Sequence, residues 1–166
     1  GELLKKSAIK DFQKYLIPLA TVITPNKYES EILSKIKINS KNTPEKIANK
    51  IQLMGAKNVV ITGIETKNNK ISDFVLEKNR EYVITGDKIS KINHGSGGNY
   101  SSAIIFSLAK HKTVKESLKF AKQYTYDSIK NAKKIGKGIV ITDIHKQDNI
   151  HAELSKSIKK FTEINN

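Results

Sequence analysis

Apolar positions fall along this chain in two kinds of block, short β-branched runs and longer stretches with helical spacing. Leu4, Ala8, Ile9, Phe12, Tyr15 and Leu16 recur at helical spacing, and Pro18 ends that helix. Ala20-Thr-Val-Ile23 predicts a short buried strand, stopped by Thr24-Pro25-Asn26 and followed by a short helix over 27–34. Thr43-Pro44-Glu45 is a helix start, a capping hydroxyl with Pro at the first helical position. Ile47, Ala48, Ile51 and Met54 make the inner face, and Gly55 stands just past the C-terminus. Asn58-Val-Val-Ile-Thr-Gly63 reads as the next buried strand. Segments 71–76 and 81–85 read as antiparallel strands, the first preceded by the turn Lys67-Asn-Asn-Lys70 and the second closed by Gly86-Asp87. Gly95-Ser-Gly-Gly98 opens a helix that runs to Ala109. Thr113-Val-Lys-Glu116 is a capping box. It starts a long helix with Val114, Leu118, Ala121, Thr125, Ile129 and Ala132 inward, broken by Gly136 and Gly138. Ile139-Val-Ile-Thr142 predicts a last strand, and Ile150, Leu154, Ile158 and Phe161 a final amphipathic helix.

Strand and helix patterns therefore alternate, which predicts an α/β protein with a mainly parallel sheet covered by helices. The 166 residues suffice for one domain with a sizeable core. The chain opens on Gly1 without Met, and residues 1–16 read as a helix already in progress, so a piece of a longer protein is expected.

Charge changes this picture less than its size suggests. The formal net charge is +14, which raises nucleic-acid binding, but Arg80 is the one arginine, and the lysines run along the whole chain. Base edges and phosphates are commonly gripped by the planar arginine fork. A lysine-rich solvated surface is the reading adopted, with no nucleic-acid partner. There are no cysteines, and no apolar run approaches the roughly 20 residues needed to cross a bilayer. A soluble cytoplasmic protein without a membrane partner is expected.

Two segments carry candidate chemistry. Asn93-His-Gly-Ser-Gly-Gly-Asn-Tyr100 places three glycines and a serine ahead of a helix. Such a start can present free N–H groups and the positive helix end to an anion, or be only a loop. Thr24-Pro-Asn-Lys-Tyr-Glu29 lies where a parallel strand delivers its carboxyl end. Asn26 and Glu29 could orient water around Mg²⁺, or merely turn the chain and favour the helix dipole. His94, His111, His145 and His151 lack metal-ligand spacing, Ser101 and Ser102 lie inside a helix, and Tyr100, Tyr124 and Tyr126 read as packing or surface residues.

Taken together, Leu16-Ile-Pro-Leu-Ala-Thr-Val-Ile-Thr-Pro-Asn-Lys-Tyr-Glu29, then Gly55-Ala-Lys-Asn-Val-Val-Ile-Thr-Gly63, then His94-Gly-Ser-Gly97 resemble the hydroxymethylpyrimidine (phosphate) kinases of thiamine biosynthesis. These belong to the ribokinase-like superfamily. The resemblance covers residues 1–138 and implies a three-layer αβα sandwich lacking its N-terminal half. It assigns 1–142 to the kinase domain and leaves 143–166 as a linker with the amphipathic helix. It implies ATP-dependent phosphorylation of 4-amino-5-hydroxymethyl-2-methylpyrimidine and its monophosphate, with Mg²⁺. Asn26 and Glu29 match the pair that organises Mg²⁺ and phosphate. Thr62, Gly63 and His94 match positions around the nucleotide, His94 as a loop-positioning residue. Gly95, Ser96, Gly97 and Gly98 match the anion hole for the transferred group. A homodimer is compatible with it, and in archaeal relatives a thiamine-phosphate synthase domain follows. The tail helix reads equally as a lead-in to such a domain or as a cap on this domain's own sheet.

Two positions depart from the pattern. Gly98 stands where these kinases carry Cys, the proposed base at the substrate hydroxyl, and Thr62 replaces a lysine near the phosphates. The alternative is a catalytically impaired pyrimidine- or nucleotide-binding or regulatory module of the same fold.

Overall fold

The computed structural model describes residues 6–39, 43–66, 68–90, 93–134 and 140–143. Helix α1 spans Lys6–Asp11. The chain continues as a π-helical turn at Phe12–Leu16 and a 3₁₀ turn at Ile17–Leu19 that contains Pro18. Proline has no N–H and clashes with the carbonyl four residues back, so the helix loosens as it approaches that residue.

The segment 20–26 then runs parallel to β1 (Asn58–Thr66). Four backbone bonds of 2.9–3.0 Å join them, Lys57 N–H to Ala20, Ile23 N–H to Asn58, Val60 N–H to Ile23 and Thr62 N–H to Pro25. The expectation of a buried strand here is corrected. Thr21 is exposed and Val22 and Ile23 only half-buried, because among the described residues the segment pairs along one edge alone.

Strands β1, β2 (Lys70–Glu77) and β3 (Arg80–Asp87) form an antiparallel meander. Their connections are too short for a parallel crossover. Asn68 and Asn69 both adopt left-handed φ, 63° and 53°, in the first of these turns. Parallel pairing occurs at the 20–26 segment on β1 and again between β4 (Asn93–His94) and β5 (Val140–Ile141), which form a separate two-stranded sheet. The register of β1 on β2 shifts between Ile61 and Ile64, and Thr62 and Gly63 together face Asp73. This bulge carries β1 beyond the expected end at Gly63.

Helices cover both faces. α2 (Lys27–Ser34) and α3 (Thr43–Gln52) lie on one side. Their Leu33, Ile47, Ala48 and Ile51 pack with Val59, Ile61 and Leu76. α4 (Ser96–Ala109) and α5 (Val114–Lys130) lie on the other. There Tyr100, Ala103, Ile104, Leu118 and Ala121 pack with Val60, Val75 and Ile84. Neighbouring residues of β1 and β2 thus serve opposite cores, and Asn58–Ile61 is buried without interruption, as a strand covered on both faces must be. Gly136, Gly138, the tail helix expected at 150–161 and the proposed linker beyond 143 lie outside the described residues.

Candidate active site

The carboxyl end of β1, the N-terminus of α4, the β2–β3 hairpin and one face of α5 surround a cavity of ≈ 870 Å³. Five of the expected residues, Asn26, Thr62, Gly63, Ser96 and Gly97, line it together, and Glu29, Gly95 and Gly98 stand next to them in sequence or one turn away. His94 lies in β4, its backbone paired with Ile141.

Asn26 and Glu29 form a capping box. The Asn26 Oδ1 accepts from the Glu29 N–H at 3.0 Å, and the Glu29 Oε2 accepts from the Asn26 N–H at 2.9 Å. Two orphan amides of α2 are satisfied this way, and the loop leaving the parallel edge is fixed in place. Both side chains are exposed, and each carboxylate or amide oxygen keeps acceptor capacity beyond the cap. No group of three or more acidic, His or Cys side chains able to cage a metal occurs among the described residues. One carboxylate and one amide oxygen fit Mg²⁺, which keeps several waters and takes much of its coordination from substrate phosphates.

The N-terminus of α4 is built differently. Gly95 is its N-cap at φ 98°, and no side chain caps the helix, whereas α2 and α5 both carry complete capping boxes. The first internal bond of α4 runs from the Asn99 N–H to the Gly95 carbonyl at 2.9 Å, so the amides before Asn99 are not consumed by the helix. Ser96 and Gly97 bring this end to the cavity wall. A Cβ on Gly95 would sit 2.9 Å from the Thr142 Oγ1, so this turn requires glycine on both conformational and steric grounds. Gly98 is different: it lies within the helix without positive φ, and a Cβ there meets nothing within 4 Å.

Beneath the cavity lies a network absent from the expectations. Asp73, 2% exposed, accepts from the Gly63 N–H at 3.2 Å and from the Lys122 Nζ at 2.8 Å, both on Oδ1, and from the Tyr100 hydroxyl at 3.0 Å on Oδ2. Burial first, and then the Asp73 carboxylate, push the Tyr100 phenol far above its ordinary range. Tyr82 is pushed up too, by burial and by its 2.8 Å bond to Glu77. The available signal was Asp73 itself, an acid at an inward position of an apolar strand; its partners lie 27 and 49 residues away, beyond any local pattern. Five lysines, 70, 88, 115, 119 and 122, line the cavity against two aspartates, 73 and 87, so the cavity has a cationic wall.

Comparison with known proteins gives the family. The sequence model of the phosphomethylpyrimidine kinase family matches residues 1–143. A hydroxymethylpyrimidine/phosphomethylpyrimidine kinase of Aquifex aeolicus (strain VF5) is 36% identical over 143 residues, 86% of this chain and 56% of that one. A pyridoxine kinase of Bacillus subtilis (strain 168) is 34% identical over 135 residues, 80% of this chain and 50% of that one. The structure of Staphylococcus aureus pyridoxal kinase in complex with AMP-PCP matches with a TM-score of 0.81 at 32% identity, over 90% of this chain and 56% of that chain. The chain spans about half the length of the curated relatives it matches. The ribokinase-like α/β fold expected from the motifs is therefore the fold observed. A family model that spans nearly the whole described chain, on motifs that converge at one cavity, places the chain in the phosphomethylpyrimidine kinase family.

Proposed function

We propose that this chain supplies the phosphate-binding part of a kinase that moves the γ-phosphoryl group of ATP to 4-amino-5-hydroxymethyl-2-methylpyrimidine and then to its monophosphate. The observation that carries this reading is the uncapped N-terminus of α4 opening on a lysine-lined cavity that also receives Asn26, Thr62 and Gly63. Phosphoryl transfer needs little covalent chemistry from a protein; it needs in-line positioning and stabilisation of charge on the moving group. The amides of Ser96, Gly97 and Gly98 suit that task, because they are preorganised and lie at the positive end of a helix dipole. Asn26 and Glu29 would hold Mg²⁺ through its waters. Held there, Mg²⁺ would supply positive charge that offsets the negative charge of the phosphates. Thr62 adds a hydroxyl and no charge beside them.

The similarity to a pyridoxine kinase makes the pyridine alcohol the competing substrate. Gly98, which offers no proton acceptor, favours a second reading, a module that binds pyrimidine and nucleotide without efficient turnover. The deciding experiment supplies the full-length protein with Mg-ATP and each alcohol in turn and follows product by ³¹P NMR. Phosphorylation of the pyrimidine alcohol with the larger kcat/KM is expected. Preference for the pyridoxine alcohol would replace the substrate, binding without product would favour the second reading, and failure to bind ATP would end the kinase reading.

A further inference from the structure

The Asp73–Lys122 pair is weakly accounted for by stability alone. Its side chains are 2% and 16% exposed, and removing two charges from water commonly costs as much as their attraction restores. Its position shows what else it does. Lys122 Nζ and the Gly63 amide bond the same oxygen of Asp73, so the ammonium can lie no farther from that amide than the two bonds laid end to end. The other oxygen takes the hydroxyl of Tyr100, one helical turn beyond Ser96 on α4. One buried carboxylate therefore ties the end of β1 to the start of α4, the two backbone segments that face the cavity from either side. The stem of Lys122 lies along β3 at Gly86, where an added Cβ would come within 3.4 Å of the Lys122 Cε. The course of this lysine is thus set along its whole length.

We propose that Lys122 is a phosphate-binding residue of the cavity and that Asp73 is the positioning residue that presents it. This rests on the kinase reading above and adds a residue to it. An ammonium carries three donors, and Asp73 takes one of them, which leaves donors for a ligand oxygen at the cavity wall. The other lysines are placed less well. Lys70 and Lys88 are turned to the exposed carboxylates of Asp87 and Glu65, and Lys115 and Lys119 are exposed. Solvent screens such exposed pairs; Asp73 offsets part of the Lys122 charge, but the ammonium is largely desolvated and fixed, and the donors Asp73 leaves over can make a charge-assisted bond to a phosphate oxygen. Lys122 also brings ammonium donors near Gly63, where Thr62 brings only a hydroxyl.

The test measures binding to the full-length protein by calorimetry, with Mg-ATP and with adenosine, which lacks phosphates. Lys122→Met should weaken ATP about 10–100-fold, the usual worth of a lost charge-assisted bond, leave adenosine unchanged, and make ATP binding less sensitive to salt. Lys122→Arg should restore most of the affinity. A second measurement needs no variant: ATP should slow acetylation of Lys122 in the unmodified protein, read by mass spectrometry, and adenosine should not. A purely structural pair would lose ATP and adenosine affinity together and show no phosphate-dependent protection. Either result overturns the proposal, as does a Lys122→Met protein that binds ATP normally. Failure of the unmodified protein to bind ATP at all would instead remove the kinase reading, and this proposal with it.

Discussion

Gly98 and Gly95 stand three residues apart and have opposite requirements. Gly95 needs its left-handed backbone, while Gly98 is an ordinary helical residue with open space where a side chain would be. Gly98→Ala should therefore stabilise the protein by about 0.5–1 kcal/mol, the helix-interior difference between these residues, as denaturant unfolding would report. Gly98→Cys has open space at its Cβ and places a proton acceptor there. In the full-length enzyme it should raise kcat about 10²-fold with KM nearly unchanged, because proton removal matters only on the way to the transition state. If the Ala and Cys variants turn over alike, another group is the base. A second residue-scale consequence concerns Tyr100. Its folded pKa is raised above the ordinary value of 10.0, so the protonated phenol stabilises the fold fully below that pH. That contribution is lost as pH climbs toward the folded value. Tyr100→Phe should cost about 1–2 kcal/mol at neutral pH, since Asp73 loses a donor. Above pH 10 it should flatten the fall of stability by up to about 1.4 kcal/mol per pH unit, as urea unfolding at successive pH values would show.

At the scale of elements, Asn26-x-x-Glu29 and Thr113-x-x-Glu116 are the same device. The second is read directly from the sequence as a capping box, and the structure shows both closed in the same way. The first is easily read through its chemistry alone, although the cap is what holds that chemistry in place. Glu29→Gln separates the two roles. A glutamine can still accept from the Asn26 amide, so unfolding should shift by less than about 1 kcal/mol, while the lost carboxylate should raise the Mg²⁺ concentration needed for half-maximal ATP binding. An unchanged Mg²⁺ requirement would leave Glu29 as a cap and nothing more. Helices α2, α4 and α5 were legible because caps, glycines and apolar spacing are local. The strand expected at Ala20–Ile23 was not, because its pairing on one side only is decided by tertiary neighbours. The bulge at Thr62–Gly63 was hidden for the same reason, since it is a relation between β1 and Asp73 and not a property of either.

At the scale of the whole molecule, dispersed charge acquires a pattern. The lysines run evenly along the sequence, yet folding draws those at 70, 88, 115, 119 and 122 to one cavity from a hairpin, a strand end and a helix face. Five motif residues line that cavity, but its cationic wall comes from residues with no motif. The two cores carry a further consequence, for the order in which the protein comes apart. Val59 and Ile61 belong to one core and Val60 to the other, so β1 cannot detach while either helical layer stays docked. Local opening can free α2 with α3, or α4 with α5, but the amides of Val59, Val60 and Ile61 should exchange with deuterium only through global unfolding. Their exchange rates should then coincide with one another and fall in parallel as denaturant is withdrawn, making β1 the strand whose protons report the stability of the whole fold.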